Sequence, residues 1–454
     1  MNRNQLKQLE YWLNKPNRKP LIIRGARQVG KSTLVRLFAE HQQCLLAEIN
    51  LERYPDLAAT FEQKDVNHII NTLEAIPGVN EIKPESLLFL DEIQSIPEVL
   101  PILRYFFEDM PQLPVITAGS LLEFVLSEHQ FSMPVGRVEY LHMGPMTFTE
   151  FLDAIEETKL CSIIRNYTIG ESIDPIIHQR LMTLLRTYFY VGGMPEAVNV
   201  YADTKRIKDV NEVHNAIIET YRDDFPKYIG SRNQGRIQRI FNFAARNVGK
   251  KVKYSHFSRD HQSAVIKTDI ELLCLARVIS KVVHSHCSGL PLQADSNEKI
   301  YKLIFLDIGL MNAISGLGWQ NITQLQDGAL INEGIMAEQF IGQHLQALLA
   351  ESPNRELNYW LREGRSSNAE VDYVVALNGR VIPIEVKSGA TGSLKSLHQF
   401  VGEKLVPSAV RFDASPPSTQ TVHTKIEKAK KSIEVNYQLL SLPLYLVERL
   451  AHLM

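Results

Sequence analysis

Leu21-Ile22-Ile23-Arg24-Gly25-Ala26-Arg27-Gln28-Val29-Gly30-Lys31-Ser32-Thr33 decides the architecture of the first third of the chain. Three apolar residues read as a buried strand, Gly25 to Ser32 matches GxxxxGK[ST] in full, and Thr33–Glu40 continues as a helix-like stretch. Glycines let a backbone curl so that its N–H groups face phosphates. Lys31 should reach the β- and γ-phosphates, and the Ser32 hydroxyl should ligate Mg²⁺. The candidate nucleotide-binding segment is therefore Gly25, Ala26, Arg27, Gln28, Val29, Gly30, Lys31, Ser32 and Thr33, and the expected cofactors are ATP and Mg²⁺.

Working outward, Leu87-Leu88-Phe89-Leu90 places Asp91 and Glu92 at the carboxyl end of a second buried strand. Asp91 can hold Mg²⁺ through water, and Glu92 can polarise the attacking water. Pro114–Ala118 is a further apolar run, and Ser120 just beyond it is either a γ-phosphate sensor or a helix cap. With Leu45–Ile49 and Val138–Met143, these runs alternate with amphipathic stretches, the signature of a parallel sheet wrapped by helices.

The chain has 454 residues, more than one hydrophobic core accommodates, so several domains are expected. Lys and Arg number 49 against 51 Asp and Glu, a balance that excludes a uniformly basic coat or an acidic tail but leaves room for a local patch. Four cysteines are too sparse for a disulfide framework. No leader-like amino terminus or membrane-length apolar run is present. The expectation is a soluble, cytoplasmic, multidomain protein with no membrane partner.

A local patch does exist. Lys227, Arg232, Arg236, Arg239, Arg246, Lys250, Lys251, Lys253 and Arg259 occur with no intervening Asp or Glu. The arginines recur at helical spacing around Ile237, Ile240 and Phe243, which puts bases on one helix face and core residues on another. Helices followed by a strand-like return at Lys299–Phe305 suggest a winged helix-turn-helix. Such a domain would contact nucleic acid, DNA being the expected partner, with salt-dependent affinity; the alternative is a solvated face on a packing domain. His284-Ser285-His286-Cys287 nearby reads as an ordinary polar strand, because zinc needs four convergent ligands.

Glu370-Val371-Asp372-Tyr373-Val374-Val375-Ala376-Leu377 and Arg380-Val381-Ile382-Pro383-Ile384-Glu385-Val386-Lys387 flank Asn378-Gly379, the strongest short hairpin signal. A two-residue turn pairs Leu377 with Arg380 and, stepping outward, Asp372 with Glu385 and Glu370 with Lys387. All four charged residues then share one face. Carboxylates about 5 Å apart repel unless a cation neutralises them. Mg²⁺ or Mn²⁺ would do so through Asp372 and Glu385, with Lys387 orienting a water for attack on a phosphodiester. A plain charged face is the bland alternative.

The phosphate-loop residues resemble the AAA+ superfamily, and more closely a prokaryotic family of AAA-type ATPases with an uncharacterised carboxy-terminal domain that is partly nuclease-like. Ile116–Ser120, Gly136-Arg137-Val138, Phe148–Phe151, Val191–Glu196 and Leu306–Leu310 also fit. The resemblance makes Arg137 a candidate arginine finger, which in trans would need a homo-oligomer. Gly193-Met194-Pro195 resembles the GxP motif of signal-transducing ATPases, which would set Pro195 near the base. Asp372, Glu385 and Lys387 resemble the PD-(D/E)XK nucleases, and Glu338 matches their helix acid, although Val371 stands where that motif has proline.

The resulting expectation is an α/β chain: an AAA+ P-loop core at 1–144, a helical lid at 145–225 and a winged helix at 226–320. A restriction-endonuclease-like domain at 330–415 and a helical tail at 416–454 would follow. Its function would be ATP hydrolysis that regulates a DNA-directed, metal-dependent nuclease. The alternative is an ATPase switch whose nuclease-like domain binds nucleic acid or protein without cutting.

Overall fold

The computed structural model describes residues 2–120, 136–229, 234–252, 263–316, 333–352, 356–362, 369–389, 393–428 and 431–454. Arg232, Lys253 and Arg259 of the basic run lie outside them, as does the side chain of Lys227. The chain divides into two compact units, Met1–Gly144 with Leu275–Val278, and Pro145–Cys274 with Ile279–Met454. Among the described residues no helix is long and apolar enough to cross a membrane.

The first unit is built on five parallel strands: β1 (Leu21–Arg24), β2 (Leu46–Asn50), β3 (Leu87–Asp91), β4 (Val115–Gly119) and β5 (Glu139–His142), in the order β2-β3-β4-β1-β5. The continuous apolar character of β3 and β4 follows from burial on both faces. Ile22, Ile49, Leu88, Leu90 and Phe106 belong to one core cluster. Because the strands are parallel, the ends of β1, β3 and β4 emerge together, and that edge carries Gly25, Asp91 and Ser120.

The second unit holds an eight-stranded mixed sheet, ordered β12-β13-β11-β10-β9-β8-β6-β7. Its strands are β6 (Ile279–Ser285), β7 (Ser296–Phe305), β8 (Leu357–Arg362), β9 (Ala369–Leu377), β10 (Arg380–Val386), β11 (Ser408–Asp413), β12 (Ser418–Lys428) and β13 (Lys431–Pro443). Two expectations change here. The hairpin β6–β7 expected to be the wing of a separate domain joins the carboxy-terminal sheet, with β6 parallel to β8 through Val282↔Leu357 and His284↔Tyr359. The expected helical tail at 416–454 is mostly the antiparallel pair β12–β13, with helical turns confined to Leu444–Arg449 and Leu450–Leu453. Ile433, Val435, Tyr437 and Leu439 recur at every second position, so the period of two prevails over the helix-like charge spacing.

The helices at 148–229, expected as a lid, pack within this second unit. Phe148 meets Phe340 edge-on at 6.3 Å between ring centroids, and its N–H donates to His344 Nε2 at 2.9 Å. The motif Val191–Glu196 is locked to Leu306–Leu310. Asp307 is fully buried and accepts from Gly193 N at 2.6 Å and Leu310 N at 3.0 Å, capping helix Ile308–Ile314. A Cβ on Gly192 would lie 2.2 Å from Asp307 Oδ1, and one on Gly193 would lie 2.1 Å from Met146 O, which explains the paired glycines. Pro195 opens helix Pro195–Thr204, where its missing N–H costs nothing.

Candidate functional site

The nucleotide site forms where β1 ends and helix Lys31–His41 begins. Gln28 has φ 63° and Gly30 φ 90°, a left-handed alternation that turns successive N–H groups into one concavity. Gly25 is required by packing as well, since a Cβ there would sit 2.2 Å from Met143 O. Lys31 is buried, and its Nζ donates to Gly25 O at 3.1 Å and Ala26 O at 2.8 Å, so its ammonium already lies in the loop. Ser32 Oγ donates to Asp91 Oδ2 at 2.6 Å, bringing together the two expected Mg²⁺ contacts. Burial pushes the Asp91 carboxyl above its usual range, against the opposing effect of the Ser32 hydrogen bond. Hydroxyl and carboxylate side by side at the mouth of an N–H-lined loop fit a Mg²⁺-bound triphosphate.

Glu92 directly follows Asp91 and adopts φ 54°, a conformation side-chain-bearing residues rarely hold without cause. Gln94 Nε2 donates to its carboxylate. Gln94 also abuts Gly119, whose added Cβ would lie 2.4 Å from Gln94 Oε1, next to the buried Ser120. Gln94 therefore spans Glu92 and the end of β4. Sequence reasoning missed it, since a lone Gln two positions after an acid carries no signal. It also missed Arg3, which is buried and donates to Val29 O at 3.0 Å and Gly144 O at 2.7 Å, clamping the phosphate loop from the amino terminus.

Arg137 lies elsewhere in this unit. It precedes β5, whose Glu139 aligns with Leu21 at the start of β1, so it stands at the opposite end of the strands from the loop. There it pairs with Glu108 at 3.0 Å, half exposed, and lowers that carboxyl's pKa. Its guanidinium is thus turned to Glu108 and not to the phosphate loop. Pro195 belongs to the second unit.

The other expected site lies in the second unit. Asn378 and Gly379 both have positive φ, and β9 pairs with β10 in the anticipated register, Leu377↔Arg380 through Tyr373↔Ile384. Asp372 and Glu385 come next, and Asp372 Oδ2 accepts from Val386 N at 2.8 Å. The outermost expected pair does not form. Lys387 Nζ instead contacts Glu385 at 2.5 Å, while Glu370 turns to Lys302 on β7, also at 2.5 Å. Lys302, only 1% exposed, further bonds Glu338 of helix Glu333–Leu348 at 3.0 Å and stands 3.9 Å from Asp372, with its Nζ 5.1 Å from the Tyr359 ring centroid.

Burial, then the neighbouring acids, dominate the electrostatics. Burial pushes Glu338 up to about 7, against Lys302. Burial and Asp372 push Glu385 up to about 7. Asp372 also lies above its usual range, chiefly through burial. Burial disfavours the Lys302 charge, but Glu338, Asp372 and Glu370 outweigh it and hold the lysine above its ordinary pKa. Glu385 Oε2 is buried with no hydrogen-bond partner among the described residues. A buried carboxylate oxygen left bare is costly, and a hard cation is the ligand that satisfies it. Yet among the described residues no three His, Cys, Asp or Glu converge in metal-ligating geometry, because Lys302 draws Glu338 and Glu370 to itself.

On the basic helix, Arg236 is bound inward to Asp269, with Nη2 to Oδ1 at 3.0 Å, and joins helix Gln234–Arg246 to helix Ser263–Leu275. Arg239, Arg246, Lys250 and Lys251 are exposed.

Three family models match the chain: an AAA domain over residues 17–152, a domain of unknown function (DUF8612) over 182–321, and a domain of unknown function (DUF4143) over 333–443. No curated protein matches. Similar solved structures include the ORC1 protein of Aeropyrum pernix in complex with DNA, 15% identical with a TM-score of 0.28, covering 72% of this chain and 95% of that one. Another is a signal transduction ATPase with numerous domains and a tetratricopeptide repeat sensor from Pyrococcus horikoshii, 12% identical with a TM-score of 0.27, covering 78% of this chain and 46% of that one.

Proposed function

The chain carries an AAA-type P-loop ATPase domain, and from that premise we propose that it is an ATP-hydrolysing switch controlling a metal-dependent, DNA-directed phosphodiesterase site on its carboxy-terminal sheet. Gly25–Thr33 would bind the triphosphate, with Lys31 placed on its phosphates and Ser32 and Asp91 holding Mg²⁺. Glu92, held by Gln94, would orient the attacking water, and Ser120 at the end of β4 would sense the γ-phosphate.

The observation that carries the second half is the bare Oε2 of Glu385 beside Asp372 and Lys387. A divalent ion there would polarise a phosphodiester oxygen and lower the pKa of a bound water. Asp372 and Glu385 would hold that ion, Lys387 would orient the water, and Glu338 would stand behind them. The exposed Arg239, Arg246, Lys250 and Lys251 supply positive charge for a nucleic-acid backbone. A specific observation favours the second reading, binding without cutting: Lys302 already neutralises Glu338 and Glu370.

The test is cleavage of linear, circular and single-stranded DNA with Mg²⁺ or Mn²⁺, each with ATP, ADP or no nucleotide. Lys31→Ala should abolish ATP binding, and Glu92→Gln should retain binding while losing hydrolysis. Cutting that disappears in Asp372→Ala supports the phosphodiesterase. Absence of cutting on every substrate, with ATP hydrolysis and DNA binding intact, selects the non-cutting switch.

A further inference from the structure

Lys302 is the residue of the second unit that no motif accounts for. It lies on β7, more than thirty positions from every acid it touches, yet Glu338, Glu370 and Asp372 all surround its ammonium. Burying a lysine to 1% exposure is unfavourable by several kcal/mol unless charge and hydrogen bonds compensate it. Here three carboxylates do so, and Tyr359 offers its ring face from the neighbouring part of the sheet. Gly249 closes the pocket from above: its N–H donates to Leu303 O, and a Cβ on it would lie 2.3 Å from Glu338 Oε2. The pocket is thus shaped around the Lys302–Glu338 pair.

The acids divide into two sets. Glu338 and Glu370 are bound to Lys302, whereas Glu385 keeps one buried oxygen without a partner among the described residues. Asp372 lies between, 3.9 Å from Lys302 and next to Glu385 in the hairpin register. Fully ionised, the four carboxylates against the ammonium groups of Lys302 and Lys387 leave two negative charges, which one divalent ion cancels. A second such ion would overcompensate and would have to displace Lys302. Resting on the phosphodiesterase reading, we propose that Lys302 is a built-in cation filling the second cation position of this site, so that it takes a single divalent ion, at Asp372 and Glu385, rather than two. Lys302 is a positioning residue: it holds Glu338 out of the ion's coordination sphere and places a positive charge 3.9 Å from Asp372.

The measurement is a count of Mn²⁺ ions on the full-length, nucleotide-free protein by electron paramagnetic resonance, with thermal melting in chelator and in Mn²⁺. The ions assigned to this site are those lost in Asp372→Ala. The wild type should bind one. Lys302→Met should bind two, and its melting temperature, depressed in chelator, should recover in Mn²⁺ because the second ion replaces the missing ammonium. Lys302→Gln combined with Glu370→Gln removes one charge of each sign, leaves the same two negative charges as the wild type, guards against simple misfolding, and should still bind one. Two ions on the wild type would overturn the assignment of Lys302, as would a single ion on Lys302→Met with no Mn²⁺ effect on melting, or two ions on the charge-conserving double variant. No Asp372-dependent ion on the wild type would instead sink the phosphodiesterase reading, and this proposal with it.

Discussion

Replacing Asp307 with alanine tests the polar lock between Val191–Glu196 and Leu306–Leu310. The substitution strands two buried N–H groups, Gly193 and, at the helix cap, Leu310, at about 2–3 kcal/mol each. Against that loss of about 5 kcal/mol stands a gain. Burial pushes the Asp307 carboxyl from 3.8 up to about 6, so at neutral pH the native chain holds a charge it resists holding. A shift of that size corresponds to about 3 kcal/mol. The folded chain binds this proton more tightly than the unfolded one. The stabilising effect is therefore full below about pH 4 and is lost as pH rises through about 6. Asp307→Ala should then cost about 5 kcal/mol at pH 4 and about 2 kcal/mol at pH 8, as read by urea unfolding of the second unit. Asp307→Asn, which keeps an acceptor and does not titrate, should flatten the pH dependence between 4 and 6. A penalty that is the same at both pH values, or below about 1 kcal/mol at pH 4, would refute the reasoning.

Four further outcomes are expected. Gly25→Ala forces a Cβ to 2.2 Å from Met143 O, so the loop must shift and ATP binding should be lost while the chain still folds; equilibrium binding of a fluorescent ATP analogue checks it. Arg3→Ala frees Val29 O and Gly144 O and should weaken ATP binding severalfold without touching a motif residue, by the same assay. Arg137→Ala should leave single-turnover ATP hydrolysis of the monomer unchanged, and a loss of a hundredfold or more that depends on protein concentration would show a finger acting in trans. Because Glu385 titrates at about 7, the proposed divalent ion must displace its proton. Mn²⁺ affinity should therefore rise as pH increases from 6 and level off above about 7, by calorimetric titration.

Much of this molecule is legible in its sequence where chemistry is local. The phosphate loop, the strand that ends in Asp91 and the Asn378-Gly379 turn each fold by rules that act within a dozen residues, and the register of β9 on β10 follows from the turn alone. Long-range choices were not legible. The stretch at 416–443 carries Lys and Glu at spacings that fit a helix, and only pairing with β11 makes its alternation of Ile433, Val435 and Tyr437 decisive. The expected partner of Glu370 was Lys387, its neighbour in an idealised ladder. A lysine from β7 took that place because β6 brings the hairpin onto the edge of β8. Lys302 did leave a trace, as a lone charge inside the apolar run Ile300–Phe305, the mark of a buried ion needing partners.

The shared sheet bears on heredity. Two separately matched regions, 182–321 and 333–443, meet at the β6–β8 pairing, inside one hydrogen-bonded sheet. A recombination event that exchanged the later region alone would bring a foreign β8 to the edge of β6 and three acids to a lysine they had not been selected beside. The donor would be left with an unpaired strand edge, an invitation to aggregation. The two regions should therefore be inherited as a pair, and the residue opposite Glu338 and Glu370 on β7 should vary in step with those acids among descendants of the same ancestor.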